Sequence, residues 1–161
     1  MILDSNLVDN IQDSNCIKIA FASINDNTFT LDSCKFINNN ANDKTNGGSG
    51  ILIQITPPDI NFFIVNCLFE RNICSSKGGS LFINDNFLKV ANLISFLDCV
   101  FKENIANEEG GAIVITTDKA CSFEKCNFIE NESKQKGGAI YINNKNFPDI
   151  NKCTFNNNKA S

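Results

Sequence analysis

The sequence predicts an all-β, single-stranded parallel β-helix, a solenoid of about five coils. Three observations carry that expectation: a CxFxxN motif that recurs five times, a glycine-led motif alternating with it, and apolar positions spaced two apart.

The first motif comprises Cys34, Phe36, Asn39; Cys67, Phe69, Asn72; Cys99, Phe101, Asn104; Cys126, Phe128, Asn131; and Cys153, Phe155, Asn158. Successive copies are 33, 32, 27 and 27 residues apart. Two residues after each Asn stands Ala41, Cys74, Ala106, Ser133 or Ala160, so the pattern extends to a small side chain. Three residues before each Cys stands an apolar one: Leu31, Ile64, Phe96, Phe123 or Ile150. That interval is odd, so both side chains face inward only if the chain bends between them. Corners are therefore expected at Asp32, Val65, Leu97, Glu124 and Asn151.

The second motif reads Gly48 to Ile53, Gly78 to Ile83, Gly110 to Ile115 and Gly137 to Ile142, with a degenerate copy at Ser14 to Ile19 that keeps its paired isoleucines. The nine glycines of the chain gather at the four full copies. Glycine fits a corner where positive φ or close backbone approach excludes a Cβ. Each unit thus holds a strand opened by a glycine turn, an apolar middle stretch, and a strand carrying CxF that ends at Asn. Alternation of β-branched and aromatic residues argues for strands, and no window shows helical spacing. A unit of about 30 residues cannot bury a face alone, so successive units stack with equivalent strands parallel. The expected division is a lead-in or cap at 1–13 and β-helix repeats at 14–161, read as a portion of a longer array because Ser161 falls in a corner beside an open sheet edge.

Stacked strands place equivalent side chains about 4.8 Å apart, which turns every repeated position into a ladder. Phe36, Phe69, Phe101, Phe128 and Phe155 are expected to fill the core. Asn39, Asn72, Asn104, Asn131 and Asn158 are expected to satisfy corner backbone groups and one another, with Asn also tolerating a left-handed corner. The early coils carry extra residues around Thr56 to Asn61 and Asn84 to Asn92. Pro57, Pro58 and Pro148 fall in connections, where no ladder donor is lost.

Composition narrows the chemistry. The 161 residues include 27 Asn, 14 Phe and 8 Cys but no His and no Trp. Imidazole bases and ligands are thereby excluded. A formal charge of −4, a single Arg at Arg71 and no basic cluster argue against nucleic acid. No apolar run approaches a membrane span, and Met1 to Asn15, carrying Asp4 and Asp9, does not read as a secretory signal. Cys34, Cys67, Cys99, Cys126 and Cys153 form an expected inward ladder beside Phe. Cys16 and Cys74 take small-residue slots, and Cys121 takes one shared with Phe62 and Ile94. Buried thiols serving as small hydrophobes account for all of these. No CxxC pair suggests zinc, and no metal or cofactor is expected.

No catalytic residue stands out. Asp98, Lys125 and Lys152 occupy one outward ladder position and read as surface charge, and Asn107 to Glu109 reads as a solvated turn before a glycine corner. Asn131 opens an Asn-Glu-Ser sequon but is also a ladder residue, which favours a structural role. A less bland feature is a stripe. If the paired Ile and Leu residues face inward, Lys18, Leu52, Phe82, Val114 and Tyr141 point outward along one side, and Leu52, Phe82, Val114 and Tyr141 form a candidate partner-binding strip.

The alternation of FxxN with GGAI resembles the repeats of the chlamydial polymorphic outer membrane protein family. It is carried by Phe101, Asn104 and Gly110 to Ile113, and by Phe128, Asn131 and Gly137 to Ile140, with more degenerate copies before them. The resemblance spans roughly residues 14–160. It implies a right-handed parallel β-helix of the pectin-lyase type, displayed at a cell surface, with a protein or glycan partner in adhesion. The chain itself shows no signal peptide, barrel or membrane segment. Two other readings stay open: a carbohydrate-active lyase or hydrolase on a β-helix, and an intracellular scaffold with reduced thiols.

Overall fold

The structure is a computed structural model that describes residues 28–42, 51–52, 61–84 and 93–161 in full, and 2–3, 6–8, 11–12, 17–21 and 53–55 as backbone strands. Its described residues are all strand and turn, arranged as four parallel sheets stacked into a β-solenoid. Sheet A contains Ile2–Leu3, Thr28–Asp32, Asn61–Val65, Leu93–Leu97, Ala120–Glu124 and Asp149–Asn151. Sheet B contains Asn6–Val8, Lys35–Ile37, Leu68–Glu70, Val100–Lys102, Asn127–Ile129 and Thr154–Asn156. Sheet C contains the pairs Ile11–Gln12, Asn40–Ala41, Ile73–Cys74, Ile105–Ala106, Glu132–Ser133 and Lys159–Ala160. Sheet D contains Ile17–Phe21, Ile51–Ile55, Leu81–Asn84, Ile113–Thr116 and Ile140–Asn143.

The chain visits A, B, C and D in turn, and equivalent repeat positions pair throughout. Phe69 pairs with Phe36 and Phe101, and Phe128 with Phe101 and Phe155. The degenerate copy falls where the isoleucine spacing puts it, with Ile17 opposite Ile51 and Ile19 opposite Ile53. Within 1–13, three strands pair in register with the next coil, setting Leu7 opposite Phe36 and Ile11 opposite Asn40. The repeat thus reaches into a stretch that lacks both Cys and Phe.

Core and corners follow from the alternation. In Asn61–Val65 and Leu93–Leu97 every second residue is buried. Phe36, Phe69, Phe101, Phe128 and Phe155 stack with centroids 4.7 to 4.9 Å apart and planes within 7°. Phe96 and Phe123 make a second stack at 4.6 Å and meet Phe101 and Phe128 edge-on at 6.1 and 5.9 Å. Offset and edge-on contacts of this kind add about 0.5–1.5 kcal/mol per pair beyond burial.

The A–B corner lies one residue later than the spacing suggests. Asp32, Val65, Leu97, Glu124 and Asn151 are still extended, and the left-handed residues are Ser33, Asn66, Asp98, Lys125 and Lys152, with φ between 51 and 56°. The extended residue has to point outward first; the left-handed one then returns the next side chain, Cys, to the core. A second left-handed residue precedes each ladder Asn: Asn38, Arg71, Glu103, Glu130 and Asn157. The ladder Asn itself is outside that conformation, contrary to the sequence expectation, because the residue before it already makes the turn.

Both roles expected of glycine occur at the turn into sheet D. Gly110 has φ +64°, and a Cβ there would sit 2.2 Å from Ile113 O. A Cβ on Gly111 would lie 2.0 Å from Gly138 O of the adjoining coil, so backbone occupies the space of a side chain. The stretch from sheet A through sheet C keeps one length in every coil from residue 61 onward. Length varies instead in the D–A connection: 85–92 joins Asn84 to Leu93 in one coil and 117–119 joins Thr116 to Ala120 in the next, and the coil after that keeps the shorter register, with its connection at 144–148. Pro148 falls in the latter connection; Pro57, Pro58, Gly48 to Gly50 and most of both early insertions lie outside the described residues.

Candidate functional site

The five Asn form one continuous chain of amides, buried at every rung but Asn158. From Asn72 onward each Oδ1 accepts from the main-chain N–H and the Nδ2 of the Asn one coil earlier. Asn104 Oδ1 does so from Asn72 N at 3.1 Å and Nδ2 at 2.9 Å, and Asn131 Oδ1 from Asn104 N at 3.0 Å and Nδ2 at 2.9 Å. The other Nδ2 hydrogen goes back to a Phe carbonyl, as from Asn104 to Phe69 O at 3.0 Å and from Asn131 to Phe101 O at 2.9 Å. This uses all the amide's hydrogens and both oxygen lone pairs, as burial requires. Asn131 is fully buried with its nitrogen bonded twice, which removes the sequon's acceptor from solvent.

The cysteines are built into the A–B corner. Cys34, Cys67, Cys99, Cys126 and Cys153 donate Sγ–H to the carbonyl two residues earlier, at 3.2 to 3.4 Å, across the left-handed residue. Cys67, Cys99 and Cys153 also reach a carbonyl of the preceding coil, at 3.7, 3.3 and 3.4 Å. All seven described cysteines are free thiols, and only Cys153 is less than fully buried. Hydrogen bonds from Cys126 and Cys67, with burial, push the Cys99 thiol up, and burial pushes Cys121 up to about 11. Such thiols are poor nucleophiles at neutral pH. Cys74 and Cys121 keep their expected slots, opposite Ala41 and Ala106 and opposite Ile94 respectively; Cys16 lies outside the described residues.

The stripe residues Leu52, Phe82, Val114 and Tyr141 do pair in one ladder. They are not an open strip. Leu52 and Val114 are 1% and 0% exposed, while Phe82 and Tyr141 are partly buried. The side chain of Val114 folds toward the glycine turn, so that a Cβ on Gly110 would lie 2.5 Å from its Cγ2. Lys136 Nζ sits 5.9 Å from the Tyr141 ring centroid, within cation–π range. Lys18 lies outside the described side chains.

Several acidic side chains are engaged by cations. Lys102 Nζ contacts Glu70 at 3.5 Å and Glu103 at 3.1 Å, and Lys77 Nζ contacts Glu109 at 3.0 Å. The latter bond raises the lysine above its ordinary value. Asn107 to Glu109 is therefore a turn tied to the coil before it. Asp98, Lys125 and Lys152 sit exposed at equivalent left-handed corners. Among the described residues, no three acidic or Cys side chains gather around a possible metal position, and no helix is long and apolar enough to cross a membrane.

One exposed residue was not singled out by the sequence. Phe147 is 99% exposed at the tip of the 144–148 connection. The loop is pinned to the preceding coil: Asn146 Nδ2 donates to Asp118 O at 2.8 Å, Lys145 Nζ contacts Asp118 Oδ2 at 2.6 Å, and Asn144 Nδ2 donates to Lys119 O. The adjacent pair Phe147–Pro148, in an Asn-rich stretch outside both motifs, is the signal that could have found it.

Comparison with known protein families matches residues 98–116 and 125–143 to the Chlamydia polymorphic membrane protein repeat. Each matched stretch runs from the A–B corner through the Asn rung and the glycine turn into sheet D. Among curated proteins and solved structures no match was found.

Proposed function

We propose that the chain is a non-enzymatic β-solenoid repeat module of a cell-surface or extracellular protein, serving display and adhesion toward a protein or glycan. The observation that carries the reading is the pair of matches at 98–116 and 125–143 to a membrane-protein repeat, set in a parallel β-solenoid. The interior supports it. The thiols, amides and aromatic rings that carry chemistry elsewhere are bonded or stacked into the core, which leaves the outward ladders and the D–A connections to meet a partner. The pinned loop bearing Phe147 is the contact element among the described residues, since an aromatic held in place loses little entropy on binding.

The test is adhesion of beads coated with the chain to cell monolayers and to arrayed glycans, beside albumin-coated beads. Retention well above albumin, reduced several-fold by Phe147→Ala without loss of folding, is the expected result. Retention no greater than albumin on every surface would overturn the adhesive role. Clear turnover of acidic or neutral polysaccharides with calcium present would establish the enzymatic reading instead.

A further inference from the structure

The cysteines of the A–B corners touch one another from coil to coil. Cys67 hydrogen-bonds to the thiols of Cys34 and Cys99, Cys99 to that of Cys126, and Cys126 to that of Cys153. The interval between them is set by the sheet. Phe36, Phe69, Phe101, Phe128 and Phe155, each two residues beyond its Cys, stack at 4.7 to 4.9 Å, so the sulfurs recur at about the 4.8 Å spacing of paired strands. They sit in or against the apolar core, among phenylalanines and isoleucines.

The backbone beside them is arranged for sulfur that carries charge. Cys126 donates its main-chain N–H to Cys153 Sγ at 3.4 Å. The main chain of Cys34, Cys67 and Cys99 stands in the same relation to the thiols of Cys67, Cys99 and Cys126, and each of these contacts favours the thiolate. A protonated thiol needs only an acceptor, which the carbonyl two residues earlier supplies; an N–H aimed at the sulfur is the contact that steadies metal-bound thiolates. Among the described residues no three acidic or Cys groups converge, which excludes the tetrahedral set that zinc takes. What remains is the pair of sulfurs on adjoining coils. A metal–thiolate bond is about 2.3 Å long, so two in line span about 4.6 Å, close to one step of the stack.

We propose that Cys34, Cys67, Cys99, Cys126 and Cys153 are a binding site for Cu(I), one ion lying between each pair of sulfurs on adjoining coils, with the inner thiolates shared by two ions. An all-sulfur donor set in a dry core selects a soft, singly charged metal. Loading is an exchange of protons for metal. Each of the five thiols gives its proton to solvent, four ions take their place, and no electron moves, which leaves one net negative charge beneath the N–H donors. The exchange also reconciles the site with inert thiols. Neighbouring thiols and burial hold the proton on Cys99 in the free chain, and the metal displaces it. The inference goes beyond the adhesive reading and does not rest on it.

The probe is Cu(I) itself, supplied as its acetonitrile complex under argon and incubated overnight with the reduced 161-residue chain. Loosely held ions are stripped with a copper(I) chelator, and the copper retained per chain is counted by atomic absorption. About four ions are expected, one per interval, with a near-ultraviolet thiolate-to-copper band. Cys99→Ala breaks two intervals at once and should roughly halve the uptake, whereas Cys74→Ala, which removes a thiol from sheet C, should leave it unchanged. Circular dichroism checks the fold of both, and Cys126→Ser, which also breaks two intervals, carries the same expectation where Cys99→Ala does not fold. Retention of less than about one ion by the parent chain overturns the proposal, and so does an equal loss from Cys74→Ala and the interval-breaking variant.

Discussion

Replacing Asn104 by Leu tests whether the amide ladder, and not the aromatic stack alone, holds the coils in register. Asn104 is fully buried. The substitution nearly preserves volume but removes an Oδ1 that takes two hydrogens from Asn72, at 3.1 and 2.9 Å, and an Nδ2 that serves Phe69 O and Asn131 Oδ1. Two donors on Asn72 are left in a dry site, each costing about 1–3 kcal/mol. Extra apolar burial by leucine returns about 1 kcal/mol. The net expectation is a loss of about 3 kcal/mol, a large share of the 5–15 kcal/mol that holds an ordinary domain. Asn158→Leu is the internal control. It removes the same two bonds, from Asn131 N and Nδ2, but at a half-buried rung where water can replace them, so about half the loss or less is expected. Equilibrium urea unfolding by far-ultraviolet circular dichroism reads both variants, provided the slope with denaturant is unchanged. If Asn104→Leu falls within about 1 kcal/mol of the parent chain, or if Asn158→Leu costs as much as Asn104→Leu, the reasoning fails.

Phe101→Ala removes a buried ring stacked on both sides and should cost about 3–5 kcal/mol, whereas Phe155→Ala, half exposed, should cost under about 2 kcal/mol by the same unfolding measurement. Gly111→Ala places a methyl group 2.0 Å from Gly138 O, so the expected result is loss of soluble folded protein, while Ala112, two residues from the left-handed glycine, should accept Ser as Ser80 does one coil earlier. Among the described cysteines of the native chain at pH 8, iodoacetamide should modify Cys153 first and leave Cys34, Cys67, Cys99 and Cys126 intact until urea is added, as read by mass spectrometry of peptides. Stability should also fall in alkali. The folded Cys121 thiol ionises only near 11 against 9.0 unfolded, so its contribution is full below pH 9 and is lost as pH rises toward 11, at up to about 1.4 kcal/mol per pH unit. A flat profile between pH 9 and 11 would show that Cys121 is not buried as a thiol.

Much of the fold was legible because a solenoid writes the same constraint at every coil. Register from Ile17 to Ile142, the Phe and Asn ladders and both glycine roles follow from spacing alone. What escaped has physical causes. The strands within 1–13 were hidden because Leu7 replaces Phe and no Cys marks the corner; Leu7 with Asn10 three residues on was the surviving trace. Spacing sets the corners a residue early because inward parity shows that the chain must turn but not which residue takes the left-handed conformation. Propensity gives no help when Lys125, Arg71 and Glu103 occupy it. The buried state of Leu52 and Val114 was missed because period two assigns alternate faces of a strand, and says nothing of what the turns before and after the strand lay across the outer one.

These errors share a direction that bears on function. Inward positions are over-determined: Phe101 must stack twice, Asn104 must satisfy four partners, and Gly111 must admit another backbone, so none can vary without disturbing the coils on either side. Most outward positions answer to fewer neighbours. Glu70, Lys102 and Ile129 follow one another on a single outer ladder, and the eight residues 85–92 of one D–A connection become the three at 117–119 in the next with no change in register on either side. A scaffold that separates the two sets so sharply can change its contacts without changing its fold. On the adhesive reading proposed above, the D–A connections are where partner specificity would have freedom to arise, and Phe147, exposed yet pinned through Asp118 and Lys119, is held rigidly enough to serve it.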